Sequence, residues 1–563
     1  MLGFCRMPRS GFSAAVLVLF IFFVAYHIIE TDIGSAPHPI RRLVQKAGDE
    51  REKLLARQSR SLEEAVNEYR RKYKVAPPPN FDKWYEFARA RDVVLIDEFD
   101  AIHEMLAPFW GLKPATIRKR AVEALGYENY LIGILIRNGT VAHQQGGRPW
   151  ERKALPKMLG KFVKYLPDMD LAFNALDEPR VALQHDDLAR LLAKAETAKL
   201  ATSKGKQALS NGFTRAAELG NGNSIREVAV SRFFNLGKRS AWATARMSCS
   251  PDSPARSLEE EDDEMTDDTS RYCSEGPLCF VSDVTAFSDI CSSPSFRKMH
   301  GFLDSPLSYV VTHDLVPIFS PSKLSTYSDI VFPAHWYWAD RVPYNAEDDE
   351  PWESKTPERF VQKLNTLSDD VLTLSAPASD NSTTNTDPET PWTAEKSTIE
   401  SHAHLLNVSF SQVGQCDPGD CSAQRAVFDL APVAPQNNAW GFKYLLDLDG
   451  NAFSGRFQAF LRSNSLVLKF ALFREWTGGS GGWLAAWRDY IPLSLHGDEW
   501  IETVRYLAEE EEGKRVAEEM ASNSSEWARK VLRKEDMEVW FFRLLLEYGR
   551  VVDDNRESIG FTI

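Results

Sequence analysis

One uninterrupted apolar run near the N-terminus does most to constrain this chain. Phe12–Ile29 reads FSAAVLVLFIFFVAYHII, 18 residues of which only His27 is readily ionisable. At 1.5 Å rise per residue a helix of that length spans about 27 Å, close to the ~30 Å hydrocarbon core of a bilayer. Arg6 and Arg9 precede the run with no acidic residue, and Glu30 and Asp32 follow it. The positive-inside rule then puts residues 1–11 in the cytosol and the body beyond Glu30 on the far side. A cleaved signal peptide is the rival, with an apolar stretch of about 7–15 residues that ends in small side chains. This run is longer and leaves through Tyr26, His27, Ile28 and Ile29. Its one small-residue exit, Gly34-Ser35-Ala36, is followed by Pro37, which blocks cleavage. The expectation is an uncleaved signal-anchor over residues 12–29 that crosses the membrane once.

The far-side body shows features that suit a secretory compartment. Sequons occur at Asn138, Asn381, Asn407 and Asn523. Six cysteines lie beyond the anchor, an even number that fits disulfides in an oxidising lumen. The close pairs Cys273/Cys279 and Cys416/Cys421 are spaced to close small loops, and no C-x-x-C pair suggests zinc. The 563 residues carry 66 Lys+Arg against 80 Asp+Glu, a net charge of −14. That balance argues against a nucleic-acid binder, which needs a basic footprint.

Composition then divides the body. Arg41–Val75 is charged and helix-forming, and residues 30–75 read as a stem that holds the body off the membrane. Pro77-Pro78-Pro79 ends it, and a helical pattern follows over Phe81–Arg91. Short apolar runs suited to buried strands recur at Val93–Ile96, Tyr130–Arg137 and Leu171–Asn174, with a helical pattern over Leu188–Ala201. Eight of the ten residues Glu259–Asp268 are acidic, a solvated insertion. Residues 366–401, rich in Ser, Thr, Pro, Asp and Asn, read as a mobile insertion. Strand patterns resume at Phe442–Leu446 and Leu466–Phe473, and two amphipathic helices close the chain near Glu499–Met520 and Ser524–Val552. Alternation of this kind predicts an α/β class: an N-terminal lobe over 76–345 and a C-terminal lobe over 346–556, with a ligand in the cleft between them.

Several stretches carry a resemblance. They include FDKWYEFA (Phe81–Ala88), APFWGL (Ala107–Leu112), LPDMDLAFNALDEPRV (Leu166–Val181) and SCSPDSPAR (Ser248–Arg256). VTHDLVPIFSPSKLSTYSDIVFPAHWYWAD (Val311–Asp340) follows. The C-terminal half adds LLDLDGNAFSGRF (Leu445–Phe457), LRSNSLVLKFALFREW (Leu461–Trp476) and RKEDMEVWFFRLLLEYGRVVDD (Arg533–Asp554). Together these blocks, over roughly residues 75–556, resemble the fungal capsule-associated glycosyltransferases, glycosyltransferase family 90. That family also holds the animal protein O-glucosyltransferases and a β-1,2-xylosyltransferase. The resemblance implies a GT-B fold of two Rossmann-like lobes. It implies inverting, metal-independent transfer from a UDP-sugar, UDP-xylose or UDP-glucose, with no further cofactor. With the anchor, it implies a Golgi type II membrane enzyme that acts on a glycan, glycolipid or glycoprotein acceptor.

Inverting transfer needs a general base for the acceptor hydroxyl, and a carboxylate suits that role. By resemblance Asp177 is that base, just past the strand pattern Leu171–Asn174. The leaving nucleoside diphosphate needs donors and close backbone approach. Gly450, Asn451, Ser454, Gly455 and Arg456 match that region, and Arg462, Lys469 and Arg474 would extend its basic side. Arg180, His313, Asp314 and Lys323 are supporting candidates, and Trp336-Tyr337-Trp338 form an aromatic platform that suits either a sugar ring or core packing. Taken alone, Asp447-Leu448-Asp449 suggests a divalent-metal motif, but the resemblance favours a turn-stabilising role and no metal. A glycoside hydrolase reading would require a second carboxyl about 5–9.5 Å from Asp177.

The chain departs from the family at one place. A segment close to W-R-G-S-T-T-G-G, an anion-cradling loop, is expected between the aromatic cluster and a helix ending in R-F-V-x-K. Here Trp352-Glu353-Ser354-Lys355 runs straight into Thr356-Pro357-Glu358-Arg359-Phe360-Val361-Gln362-Lys363. About twenty residues are missing between matching flanks. Either an exon piece is absent from the gene reading, or the chain is a catalytically impaired member that binds glycans or partner transferases.

Overall fold

The fold was obtained as a computed structural model, and it describes residues 37–204, 209–257, 267–274, 276–361, 372–377, 392–398, 400–408, 412–414, 416–478, 482–495 and 497–563. The anchor at 12–29, the Asn381 sequon and most of the acidic run lie outside these residues. Among the described residues no helix is long and apolar enough to cross a membrane.

The stretch read as a stem forms two helices, α1 (Pro39–Ala56) and α2 (Leu62–Tyr73). Neither stands off the body. Ile40, Val44 and Ala47 of α1 are buried beside Tyr506 and Leu507. Arg51 pairs with buried Asp489 at 2.7 Å and lies over the Trp527 ring. At the start of α1, His38 Nδ1 accepts from Ile40 N–H (3.2 Å), its Nε2 meets Glu502 at 3.0 Å, and its ring stacks on Tyr506 at 3.9 Å. In α2, Ala65, Val66 and Tyr69 join the main core. Apolar residues spaced three and four apart among the charges give each helix a face to bury. That face, rather than the charge content, decided the packing.

Three more helices, α3 (Phe81–Arg89), α4 (Asp100–Trp110) and α5 (Pro114–Leu125), lead into the first sheet. Val93–Ile96, expected as a strand, is irregular: Val93, Leu95 and Ile96 are buried between α3 and α4 without ladder partners. The first sheet has the order β2-β1-β3-β6-β7, with β1 (Leu131–Arg137), β2 (Thr140–Gln145), β3 (Met169–Asn174), β6 (Ile318–Ser320) and β7 (Ile330–Val331). β1 runs antiparallel to both neighbours, while β3, β6 and β7 are parallel. Between them lie α6 (Pro149–Leu159), α7 (His185–Lys204) and a small antiparallel pair, β4 (Phe234–Asn235) with β5 (Val310–Val311). Past β7 comes the one-turn helix α8 (His335–Trp338).

The second sheet is wholly parallel, in the order β11-β8-β12-β13-β14. Its strands are β8 (Thr356–Val361), β11 (Leu406–Val408), β12 (Phe442–Leu448), β13 (Leu466–Phe470) and β14 (Ile491–Pro492). Arg359, Phe360 and Val361, expected at the end of a helix, lie in β8. With the family's loop missing, the chain passes from Lys355 straight into the slot between β11 and β12. Within 366–401 the described residues form an antiparallel pair, β9 (Leu372–Pro377) with β10 (Trp392–Ser397). Helix α9 (Phe457–Arg462) links β12 to β13.

The C-terminal helices break differently from the sequence pattern. They are α10 (Asp498–Glu509), α11 (Glu511–Val531) and α12 (Lys534–Val551). Gly513 permits the sharp α10–α11 turn, because a Cβ there would lie 1.8 Å from the Tyr506 carbonyl oxygen. α12 returns to the first sheet: Phe541 meets Phe173 and Phe332, and Tyr548 meets Phe319. One buried cluster therefore runs from Ala65 through the first sheet to Trp440, Val467 and Phe561. Three disulfides close loops on this frame: Cys249–Cys291, Cys273–Cys279 and Cys416–Cys421.

Candidate functional site

Parallel strands gather loops at their carboxyl ends, where α/β sheets bind ligands. In the first sheet β3 delivers Asp177 there and β7 delivers α8. Asn174 fixes the turn between them. Its Nδ2 donates to Glu178 O (2.8 Å), and its Oδ1 accepts from Leu176 N–H (3.0 Å) and from Arg180 Nη1 (2.9 Å). Asp177 is left exposed to solvent at its tip. Protein nevertheless crowds its carboxyl: burial pushes the pKa up, Arg148 and His335 pull it down, and Glu151 adds to the rise. A reachable carboxylate in crowded surroundings describes the wall of a cleft.

The residues around Asp177 come from separate elements. Arg148 and Glu151 open α6, where Glu151 accepts from the Arg148 backbone N–H at 2.5 Å. His335 Nε2 lies 3.7 Å from Glu151, an electrostatic distance longer than a hydrogen bond. Burial raises the Glu151 pKa, but His335 and the Arg148 N–H outweigh it and hold the carboxyl low. Glu151 is thus a fixed anion, unsuited to serve as the acid partner of a hydrolase pair. His335 stacks on Trp150 at 4.9 Å, and Arg341 lies over both Trp150 and Trp336.

α8 also ties this group to the loop between β12 and α9. Trp336 Nε1 donates to Gly455 O at 3.2 Å and Tyr337 Oη donates to Ser454 O at 2.6 Å. A Cβ on Gly455 would lie 2.8 Å from Trp336 Nε1, so only glycine fits against the indole. Trp338 instead faces α12, with its Nε1 3.3 Å from Glu538. The opposite end of the same loop, Asp449 to Asn451, lines a cavity of about 1020 Å³ at the carboxyl ends of β12, β13 and β14, opposite His300–Ser305. Loop 449–456 therefore spans from a large cavity to the Asp177 cluster.

The remaining candidates are distributed as follows. Gly450 is exposed and open, its N–H bonded to Ala452 O at 2.9 Å. Arg456 lies over the Phe460 ring. Ser454 Oγ donates to Asp447, and Lys469 is buried between Asp447 (2.7 Å) and Asp449 (3.4 Å). Despite its burial, those two carboxylates hold the Lys469 pKa up. Asp449 also accepts from the N–H groups of Leu472 and Phe473. The Asp-x-Asp pair is thereby occupied by an internal cation and backbone donors, and Lys469 is committed within the sheet. Arg462 donates to Leu532 O at 2.6 Å. Arg180 is fully buried and bonds Asn129 O at 2.7 Å. His313 bonds Ala182 O (3.0 Å) and Asp314 pairs with Arg232 (2.7 Å). Lys323 and Arg474 line another cavity. Among the described residues no cluster of three or more His, Cys, Asp or Glu is poised to hold a metal ion.

Sequence reasoning missed Arg148, Glu151, His335 and Glu475. The signal available for the first two was Arg-Pro-Trp-Glu, with Pro at the first helical position and Glu two residues on. Glu475 is buried, and its pKa is raised to about 8 by burial, with Lys469 pulling down.

Residues 303–557 match the family model described as Glycosyl transferase family 90. A 113-residue stretch is 32% identical to an O-glucosyltransferase rumi homolog of Aedes aegypti, and it covers 20% of this chain and 27% of that protein. The alignment thus spans about a quarter of the relative. The matched region contains α8, loop 449–456 and the whole second sheet, while Asp177 precedes it. The likeness to glycosyl transferase family 90 thus rests on residues 303–557.

Proposed function

We propose that the protein is a UDP-sugar-dependent glycosyltransferase of GT-B architecture that transfers xylose or glucose with inversion to a glycan, glycolipid or glycoprotein acceptor. The observation that carries this reading is the bridge from α8 to Ser454 and Gly455, which ties the family-matched loop to the helix whose His335 acts on the Asp177 carboxyl. The acceptor oxygen attacks the anomeric carbon as the bond from that carbon to the UDP oxygen breaks. Asp177 takes the hydroxyl proton, and UDP departs with the bonding pair. The 1020 Å³ cavity at the carboxyl ends of β12–β14 is the place for the nucleotide. The chemistry asked of this chain is proton transfer and charge stabilisation by N–H and cationic donors, without a metal. The anchor at 12–29, the sequons and three disulfides support a Golgi type II setting with the body in the lumen.

The test is UDP release by the purified full chain from UDP-xylose and UDP-glucose. Asp177→Asn should lower turnover by about 10²–10⁴-fold with an unchanged fold, the usual weight of a general base. Undiminished turnover would remove Asp177 from the role.

The direct run from Lys355 into β8 favours a second reading, an impaired member that binds glycans or partner transferases. Loss of charge-assisted phosphate contacts, each about 1.5–3 kcal/mol, would cripple donor binding. Transcript sequence across Trp352–Arg359 separates the two. A message that encodes the Gly/Arg loop favours the enzyme, and turnover by the loop-less chain would show the loop to be dispensable.

A further inference from the structure

A second cavity, about 320 Å³, opens between α4, α7, the segment 323–331 and residues 474–478. Its size is at the lower end of the ~300–1,000 Å³ range of small-molecule sites. Met105, Leu188 and Leu192 form an apolar wall, while Trp476 is buried against Trp483 and Trp540.

Two cations line this space, and the backbone forces them together. Lys323 and Arg474 form an isolated antiparallel bridge in which each N–H donates to the other's carbonyl, at 3.1 and 2.8 Å. Residues directly opposite in such a bridge project to the same side, where like charges repel. Among the described residues, neither forms an ion pair. The Lys323 ammonium has no hydrogen-bond partner among them, and Arg474 gives its donors to neutral oxygens, Ser288 Oγ (3.2 Å) and Thr285 O (2.9 Å). Burial pushes the Lys323 pKa down to about 8. Glu475, on the same wall, holds its proton up to about pH 8, so it does not offset the pair at neutral pH. Glu104 is exposed at the rim. Asp329 and Glu104 act on Lys323, and Asp289, Glu104 and Asp283 on Arg474, but among the described residues none of them lies within ion-pair distance of either cation. Two like charges fixed side by side with no carboxylate in contact describe half of an anion site.

We propose that this cavity binds a small oxyanion on a ring-sized body, a uronic acid or a sugar phosphate, gripped by Lys323 and Arg474 with its apolar face against Leu188 and Leu192. The site stands independently of the transferase reading.

Calorimetric titration of the purified full chain with glucuronate, glucose 6-phosphate and glucose tests it. At least one anion should bind tenfold or more tighter than glucose, and which one does so identifies the oxyanion. Lys323→Met should erase that advantage and Lys323→Arg should keep it. Leu192→Trp, which fills the cavity from its exposed rim, should abolish binding while Tm is preserved. Asp177→Asn should bind the anion like the parent, which keeps this result separate from any loss of transfer. Anions that bind no better than glucose, a Lys323→Met variant that binds normally, or displacement of the anion by UDP would each overturn the proposal. The last outcome would make the cavity part of the donor site.

Discussion

At Asp177 burial opposes ionisation while Arg148 and His335 favour it, and the net direction is upward. A base of raised pKa is protonated, and so inactive, over a wider acid range. The acid limb of kcat/KM should therefore lie above the ~3.9 of an ordinary aspartate. Arg148→Ala should move that limb higher still, and a pH–rate profile of both proteins reads the difference. Glu475 makes a prediction of opposite use. Its pKa of about 8 in the folded chain exceeds the unfolded value of 4.5, so the native state holds a proton that the unfolded state releases between those limits. The resulting stability is complete below pH 4.5 and is lost as pH rises to about 8. Urea midpoints at pH 5 and pH 8 should fall for the parent and fall less for Glu475→Gln; equal slopes would contradict the assignment. Asp177 was legible because its neighbours Asn174 and Arg180 are close in sequence and its block resembles a known family. Arg148, Glu151 and His335 were not, since they reach Asp177 from α6 and α8, through a strand order that the sequence does not state.

Between elements, buried Lys469 ties β13 to the carboxylates at the end of β12. Lys469→Met would leave Asp447 and Asp449 buried without their cation, a change that typically costs about 3–5 kcal/mol. Chemical denaturation should register that loss, and a value within error of zero would mean that the pair is solvated. Gly455→Ala is a milder probe. It pushes Trp336 away from loop 449–456, and turnover should fall well beyond any change in Tm. The strands β1, β3, β12 and β13 were readable because each is an apolar run of strand length. Val93–Ile96 has the same composition but packs between helices with no strand beside it, which no local pattern distinguishes. The breaks at Glu510 and Leu532 escaped notice because the apolar periodicity continues across both.

For the molecule as a whole, the largest revision concerns residues 39–73, which belong to the packed body. A chain begun at residue 76 would lose the α1 and α2 contacts, including Arg51–Asp489, and leave Asp489 buried and unpaired. Such a chain should aggregate, while one begun at residue 37 should give a single cooperative unfolding transition. Soluble, cooperative behaviour from residue 76 onward would restore the stem reading. The α/β class was visible from alternation. The shared core was not, because α12 contributes its aromatics to a sheet whose strands lie far earlier in the chain. The docked position of His38 against Tyr506 and Glu502 also sets a leash. Eight residues lie between it and Ile29, nine steps along the chain and a reach of roughly 30 Å at ~3.3–3.6 Å each even when fully extended. An anchor at 12–29 would hold the body against the bilayer rather than on a mast. Encounters would then take place in the plane of the membrane, where a lipid-borne or membrane-embedded acceptor arrives by lateral diffusion and a free soluble one must find a nearly grounded enzyme.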